Sequence, residues 1–156
     1  MKFSLWVIGK SDKNIESLLQ KYEQRIGHYI NFSREEKELK KSNSKIPAAQ
    51  LKRLEAEIIL SKLEPQDLLV LLDESGKNYD SRAFATQVEK WMQSSKKQVV
   101  FLVGGAFGFA PEIYQRADAR LSLSKMTFSH QIIRILFLEQ LYRAFSIINK
   151  EPYHND

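Results

Sequence analysis

The amino-acid sequence predicts an α/β fold with a largely parallel sheet, and three observations support this prediction. Short apolar runs typical of strands alternate with segments of helical periodicity, in the order β-α-β-α-β-α-β-α-β-α. The connections between these segments are short, as is usual between neighbouring elements. The chain has 156 residues, 43% of them apolar, which is enough for one hydrophobic core, and no repeat or linker divides it. We therefore expect one domain over residues 1–156.

The N-terminal segment predicts a strand, a helix and a second strand. Residues 2–8, KFSLWVI, form a short apolar run that is followed by Gly9. Ser11 or Asp12 can cap the helix that comes next. Apolar side chains recur at helical spacing along one face of this helix, at Ile15, Leu18, Leu19, Tyr22 and Ile26. Residues 29–33, YINFS, are predicted to form the second strand, before a polar and charged stretch.

A second helix and a buried strand are predicted in the middle of the chain. Pro47 suits the first turn of a helix, because its missing N–H has no partner there in any case. The buried face of this helix is predicted to carry Leu51, Leu54 and Ile58. Residues 67–73, DLLVLLD, are nearly all apolar, as expected of a strand that is covered on both faces.

The second half of the chain repeats the alternation. A helix is predicted near 81–94, and the side chains that face inward are Phe84, Val88, Trp91 and Met92. Residues 98–103 form another apolar strand, and a short helix can start at Pro111. Residues 119–124 are predicted to be the fifth strand, and a long helix is predicted from about 130 to 148.

Composition excludes several classes of protein. The chain has no cysteine, so disulfides and thiolate chemistry are excluded, and nothing indicates export. No apolar run approaches the roughly 18 residues that a membrane span needs. The N-terminal apolar run is not followed by a small-residue cleavage site, so it is interpreted as a strand. These features favour a cytoplasmic protein.

The positive charge is concentrated in residues 37–53. This segment has six basic residues and one acidic residue, a surplus that equals the net charge of +5 of the whole chain. Its basic residues are Lys37, Lys40, Lys41, Lys45, Lys52 and Arg53. A local basic cluster beside a neutral body can contact phosphate groups, although taken alone it favours the simpler interpretation as a solvated loop and helix face.

Three predicted strand ends are candidates for a ligand site, since ligands of open α/β sheets bind beyond the carboxyl ends of the strands. They are residues 71–77 (LLDESGK), 102–108 (LVGGAFG) and 121–128 (LSLSKMTF). The glycines of 102–108 lack the Lys-Ser/Thr of a phosphate-binding P-loop and the spacing of a dinucleotide fingerprint. Glycine at this place either lets the backbone approach a flat group, such as a base, or only turns the chain.

Metal and nucleophile chemistry find little support in the sequence. The three histidines, His28, His130 and His154, have no metal-ligand spacing, and no metal is expected. No G-x-S-x-G motif marks a nucleophilic serine, and Ser129 is more simply the N-cap of the last helix. Asp73 and Glu74 are either a carboxylate pair or part of a solvated turn.

The last predicted helix is apolar almost all round, so it either crosses the core or lies in a dimer interface. Arg134, Glu139 and Arg143 interrupt it, and Glu139 and Arg143 can pair at i,i+4. An arginine on such a helix can also face an anionic group. The tail 151–156, EPYHND, contains aromatic residues that favour cover over solvent.

Four segments together resemble one known family over the whole length of the chain. These segments are LDESGK, VGGAFG, LSLSKMTFSHQIIRILFLEQLYRAF and PYH, of which the third is the most specific. The family is the ribosomal RNA large subunit methyltransferase H family, which modifies a pseudouridine of 23S rRNA at N3 and belongs to the knotted SPOUT class. This resemblance implies a deep C-terminal trefoil knot, a homodimer and S-adenosylmethionine as the cofactor. By position, the resemblance implies that the cofactor is bound by Leu72, Gly104, Leu123, Ser124, Lys125, Met126, Thr127 and Phe128.

The resemblance also gives the tail a function. The N3 imide of pseudouridine is a poor nucleophile until its proton leaves, so a base or a group that stabilises the anion is required. His154 is the candidate base, Arg143 is expected to favour the anion or hold a phosphate, and Tyr153 to stack or hydrogen-bond. Ser129 and Phe107 stand where proline and tyrosine are frequent in the family, and the basic residue that often follows the histidine is absent here.

Two other functions remain open on the sequence alone. One is a ribosome-binding protein that retains the fold without catalysis. The other is a nucleotide-binding metabolic enzyme of ordinary doubly wound topology.

Overall fold

The structure is a computed structural model that describes residues 1–39 and 46–155, and it contains a five-stranded parallel sheet. The strand order is β2-β1-β4-β3-β5. The strands are β1 (Lys2–Ile8), β2 (Asn31–Lys37), β3 (Asp67–Asn78), β4 (Gln98–Val103) and β5 (Ala119–Ser122). The helices are α1 (Lys13–Gly27), α2 (Ala48–Lys62), α3 (Ser81–Met92), α4 (Pro111–Arg116) and α5 (Ile132–Ile148). This arrangement confirms the predicted α/β class and the parallel sheet.

The sheet is covered on both faces, which explains why its central strands are continuously apolar. One face packs against α1, α3 and α5, and its aromatic side chains include Phe101, whose ring centre lies 4.7 Å from that of Phe137. The other face packs against α2 and α4, around Trp6, Leu69 and Leu102. Because all strands run in the same direction, their carboxyl ends meet at one edge of the sheet.

The second strand and the second helix differ from the prediction. The strand β2 begins at Asn31 and not at Tyr29, whose ring instead stacks on Phe145 with centroids 5.5 Å apart. The buried residues of α2 are Glu55, Ala56 and Ile59. The predicted buried residues of this helix are only half-buried, and they are Leu51, Leu54 and Ile58. Apolar side chains are spread around most of this helix, so periodicity does not select one face.

The helix caps and strand ends also deviate in detail. Asp12 precedes α1 without a side-chain cap bond. The last helix begins at Ile132. The Ile132 backbone N–H donates to Ser129 Oγ over 3.1 Å, which is the capping contact expected of that serine. The strand β5 ends at Ser122, earlier than predicted.

The strand β3 continues beyond the carboxyl end of its neighbour β4, because Gly76 can approach β5 closely. A Cβ atom at Gly76 would lie 2.7 Å from the carbonyl carbon of Arg120. The pairing shifts between Leu72 and Lys77, so that Leu121 faces both of them. These last residues of β3, 73–78, lie alongside β5 and form one wall of the site described below.

No helix in the ranges that the structure describes is both long enough and apolar enough to cross a membrane.

Candidate active site

A cleft of about 520 Å³ lies at the carboxyl edge of the sheet. Three segments supply most of its lining: residues 72–74 of β3, residues 103–109 at and after the end of β4, and most of residues 121–130 at and after the end of β5. These are the three strand ends that the sequence singles out. Its volume falls within the roughly 300–1,000 Å³ of small-molecule sites.

The segment after β4 forms a tight turn whose backbone faces the cleft. Gly108 donates its N–H to the Gly105 carbonyl over 3.2 Å, and Gly108 has φ +80°. A Cβ atom at Gly104 would lie 3.0 Å from the ring of Phe109. Glycine is therefore favoured at 104 by the close Phe109 ring and at 108 by its positive φ, and it leaves bare backbone at the wall of the cleft.

The segment after β5 is fixed by its own hydroxyl groups and by the first wall. Ser122 Oγ donates to the Ser124 carbonyl over 2.8 Å, and Ser124 Oγ accepts the Met126 N–H over 3.0 Å. Thr127 Oγ1 donates to Glu74 Oε2 over 2.5 Å. These bonds hold a loop without regular secondary structure in one position relative to β3.

The structure brings most of the expected cofactor residues together. Seven of them line the cleft: Leu72, Gly104, Leu123, Ser124, Met126, Thr127 and Phe128. Lys125 does not line it, and this residue is exposed.

Two aromatic residues of the cleft are absent from the sequence-based prediction. Phe109 and Tyr114 line the wall, with their rings 5.7 Å apart and perpendicular. Burial is the main cause that raises the pKa of Tyr114 to about 12, and a hydrogen bond with Asp73 is the second cause. The signal for Phe109 is its place directly after the glycine turn, whereas Tyr114 lies within α4 and has no such signal. Asp73 otherwise accepts from Ser75 Oγ over 2.9 Å, while Glu74 binds Thr127, so the two acids have different partners.

The three expected catalytic residues form a second cluster with Glu139, on α5 and the tail. Arg143 Nη1 lies 3.1 Å from His154 Nδ1, and Arg143 Nη2 donates to Glu139 Oε1 over 2.5 Å. The Tyr153 hydroxyl donates to the same oxygen over 3.1 Å, and the Arg143 guanidinium lies 4.7 Å from the Tyr153 ring centre. Burial is the main cause that raises the pKa of Tyr153. The tail is thus half-buried and packed at Tyr153 and His154.

This cluster of expected catalytic residues and the cleft are at opposite ends of α5. Ile133 lines the cleft, and Arg143 is about 15 Å further along the helix axis at about 1.5 Å per residue. None of Arg143, Tyr153 and His154 lines the cleft in the described part of this single chain.

Arg134 has a different environment from Arg143. It is fully buried, and its guanidinium donates to the carbonyls of Ile8, Gly9 and His130 over 2.9–3.2 Å and to Ser11 Oγ over 2.8 Å. Its donors are used by the protein itself, so it fixes the start of α5 to the end of β1.

Among residues 1–39 and 46–155, no group of three or more His, Cys, Asp or Glu side chains could hold a metal ion.

Comparison with known proteins identifies the family. The model of the family described as "Predicted SPOUT methyltransferase" matches residues 1–154. Three similar proteins carry the name ribosomal RNA large subunit methyltransferase H. The protein of Parabacteroides distasonis is 47% identical over 100% of both chains. Those of Christiangramia forsetii and Flavobacterium psychrophilum are 46% and 45% identical, each over 99% of both chains. These matches confirm the resemblance drawn from the sequence, and the chain belongs to the SPOUT methyltransferase family.

Proposed function

We propose that this protein transfers a methyl group from S-adenosylmethionine to N3 of a pseudouridine in 23S rRNA. The observation that carries the proposal is that residues from all three expected cofactor segments line one cleft at the carboxyl edge of the sheet. The full-length similarity to proteins named as rRNA large subunit methyltransferases supports the choice of substrate.

The cleft fits an adenosyl group better than a phosphate group. Its glycine turn has no lysine or Ser/Thr of a phosphate-binding loop, and Gly104 brings bare backbone to the ligand space. Leu72, Leu123 and Phe128 supply apolar surface around it. When bound, the cofactor supplies an electrophilic methyl group, so the protein has only to position it and no metal is needed.

The catalytic cluster supplies groups for the proton and the anion. Because arginine only donates, His154 Nδ1 accepts from Arg143, and a neutral ring then carries its proton on Nε2. The base role assigned to His154 therefore requires Arg143 to turn toward the substrate and free Nδ1. A guanidinium that turns in this way faces the anion that forms at N3, while Tyr153 is placed to stack on or hydrogen-bond with the base.

We propose a homodimer in which the catalytic cluster of one copy reaches the cleft of the other. The separation of about 15 Å along α5 within one chain is the support for this arrangement. The test is a purified heterodimer of one His154→Ala copy and one Gly104→Ala copy, assayed at an S-adenosylmethionine concentration below the natural Kd, where the weaker cofactor binding of Gly104→Ala limits its turnover. One of the two shared sites is then intact, so activity returns to about half of the natural level, while each variant alone is impaired. No recovery on mixing contradicts the shared site.

The basic segment 37–53 is proposed to contact the rRNA backbone. Lys40, Lys41 and Lys45 lie outside the described residues. In the described part of the segment, Lys37 Nζ donates to Glu35 Oε2 over 2.6 Å and lies 4.4 Å from the Trp6 ring centre. Neutralising the three lysines at 40, 41 and 45 is expected to weaken RNA binding and to flatten its salt dependence. Unchanged affinity together with an unchanged salt slope contradicts this contact.

Three further features are part of the proposal: one domain over residues 1–156, a cytoplasmic location and a deep C-terminal trefoil knot. All described elements pack on one sheet, which supports the single domain. The position of β5 at the sheet edge, with α5 returning over the sheet to pack on α1 and α3, supports the threading. A crystallographic chain trace tests the knot.

The decisive experiment compares rRNA nucleosides from cells with and without this protein by mass mapping. Loss of one methylated pseudouridine from 23S rRNA is the expected result. If methylation is unchanged while the protein still binds ribosomes, it is a binding protein without catalysis. Calorimetry with S-adenosylmethionine separates the proposal from an ordinary nucleotide-binding enzyme, which does not bind this cofactor.

A further inference from the structure

Glu55 is a buried acid on α2 that the chemistry above does not use. Its side chain is 8% exposed, next to the core residues Ala56 and Ile59. Within residues 1–39 and 46–155, no hydrogen bond or ion pair satisfies its carboxyl group, although Lys52 lines the same small cavity. Burial raises the pKa of this carboxyl group.

The carboxyl group of Glu55 lies directly against the glycine turn of the cleft. A Cβ atom at Gly105 would be 2.7 Å from both carboxyl oxygens, so these oxygens can occupy their place only because residue 105 is glycine. Gly104, Gly108 and Phe109 line both the cavity that contains Glu55 and the cleft itself. The turn is therefore a single layer of backbone with the cleft on one side and Glu55 on the other.

Folding alone does not explain a carboxyl group at this place. An acid that is largely removed from water without a partner is unfavourable, and an apolar side chain of similar size is often neutral or stabilising in its stead. The neighbours of Glu55 on this face of the sheet are apolar, so methionine or leucine suits the surroundings. What an apolar side chain does not reproduce is the flat carboxyl group, whose two oxygens pack against the backbone of Gly105, where a tetrahedral methyl or methylene group is thicker.

We propose that Glu55 is a positioning residue, whose carboxyl group fixes the glycine turn 104–108 in the position that binds the adenosyl cofactor. This inference rests on the proposed function, in which the cleft binds S-adenosylmethionine. Glu55 acts through the turn and does not touch the ligand. It also connects α2, whose first residues belong to the basic segment 37–53, to the wall of the cleft.

The first test replaces Glu55 by methionine and measures two quantities, the free energy of unfolding in urea and the Kd of S-adenosylmethionine by calorimetry. Glu55→Met is expected to be at least as stable as the natural protein, while its Kd rises about tenfold, because small displacements of a binding loop are costly. Glu57→Met, an exposed position on the same helix, is the matched control and leaves both quantities unchanged. A stable Glu55→Met with the natural Kd overturns the proposal, and so does a variant that loses stability and affinity together.

The second test is a double-mutant cycle, which remains informative if the methionine variant does not fold. Gly105→Ala places a methyl group against the carboxyl oxygens and is expected to raise the Kd about fivefold in the natural background. In a Glu55→Ala background the space is free, so the same change is expected to raise the Kd less than about twofold. Equal effects in both backgrounds contradict the coupling.

The two failures are distinguishable. If the natural protein does not bind S-adenosylmethionine, the proposed function fails. If the natural protein binds it and the Glu55 variants bind it equally well, only the role of Glu55 is wrong.

Discussion

Two arginines on α5 show how one helix serves two purposes. Arg134 is fully buried and gives its donors to three backbone carbonyls and one hydroxyl. Arg143 is half-buried and contacts the side chains of Glu139, His154 and Tyr153. Side-chain partners can exchange for a substrate at little cost, whereas buried carbonyls that lose a donor are left unsatisfied. The first arginine therefore holds the fold, and the second is the one that we propose takes part in the chemistry.

The largest expected effect comes from Arg134→Met. It leaves the carbonyls of Ile8, Gly9 and His130 without their donor, at about 1–3 kcal/mol for each buried acceptor that stays unsatisfied. We expect the free energy of unfolding to fall by about 3 kcal/mol in urea titrations. Arg134→Lys, which keeps the charge but not the fork of donors, is expected to recover only part of this loss. If the free energy of unfolding changes by less than about 1 kcal/mol, Arg134 does not have this structural role.

Arg143→Met tests the other side of the comparison. We expect kcat on the rRNA substrate to fall about 100-fold, while the free energy of unfolding changes by less than about 1 kcal/mol. The Kd of S-adenosylmethionine is expected to stay the same, because Arg143 does not line the cleft of its own chain. Asn155→Ala, an exposed change in the same tail, is the control. Natural turnover in Arg143→Met sinks the catalytic assignment.

Gly104→Ala tests whether the glycine turn of the cleft contacts the cofactor. The added Cβ atom meets the Phe109 ring at 3.0 Å, so the turn or the ring must shift. We expect the Kd of S-adenosylmethionine to rise about tenfold, with kcat at saturating cofactor nearly preserved. Gly27→Ala provides the comparison, since no atom lies within 4 Å of its added Cβ. An unchanged Kd in Gly104→Ala means that the turn does not contact the ligand.

The smallest effect concerns pH, and it involves both ends of α5. Burial raises the pKa of Tyr114 by the cleft and of Tyr29 near the C-terminal end, each to about 12. In the unfolded chain these phenols ionise near pH 10, so their contribution to stability is present below pH 10 and is lost between about pH 10 and 12. Urea titrations at pH 9 and pH 11 measure this loss. Tyr114→Phe and Tyr29→Phe are each expected to reduce it, and an unchanged pH dependence in both contradicts the assignment.

Much of the fold follows from the sequence, because apolar runs and helical spacing are local signals. The five strands and five helices are predicted in the right order, and the buried runs at 67–73 and 98–103 coincide with sheet strands. The face of α2 is predicted wrongly, because its apolar residues surround the helix and only packing selects Glu55, Ala56 and Ile59. The extension of β3 depends on the close approach of Gly76 to Arg120, a long-range contact without a local signal.

The site is predictable to a similar extent. The three strand ends converge because parallel strands share one carboxyl edge. The distance from the cleft to Arg143 and His154 is not predictable, since it depends on how α5 lies across the sheet. The contact between Glu55 and Gly105 joins residues that are far apart in the chain, and an acid in a helix is usually solvated.

The ammonium group of Lys37 lies over the Trp6 indole, so the fluorescence of Trp6 can report on the position of Lys37. The two groups lie 4.4 Å apart, and the only other tryptophan, Trp91, lies in the core between Phe84 and Phe101. A cation over an indole face perturbs its emission, so Trp91→Phe would leave a single fluorophore that reports on the first residue of the basic segment. Withdrawal of that lysine toward a phosphate would then be visible in a stopped-flow trace, without any label attached to protein or RNA.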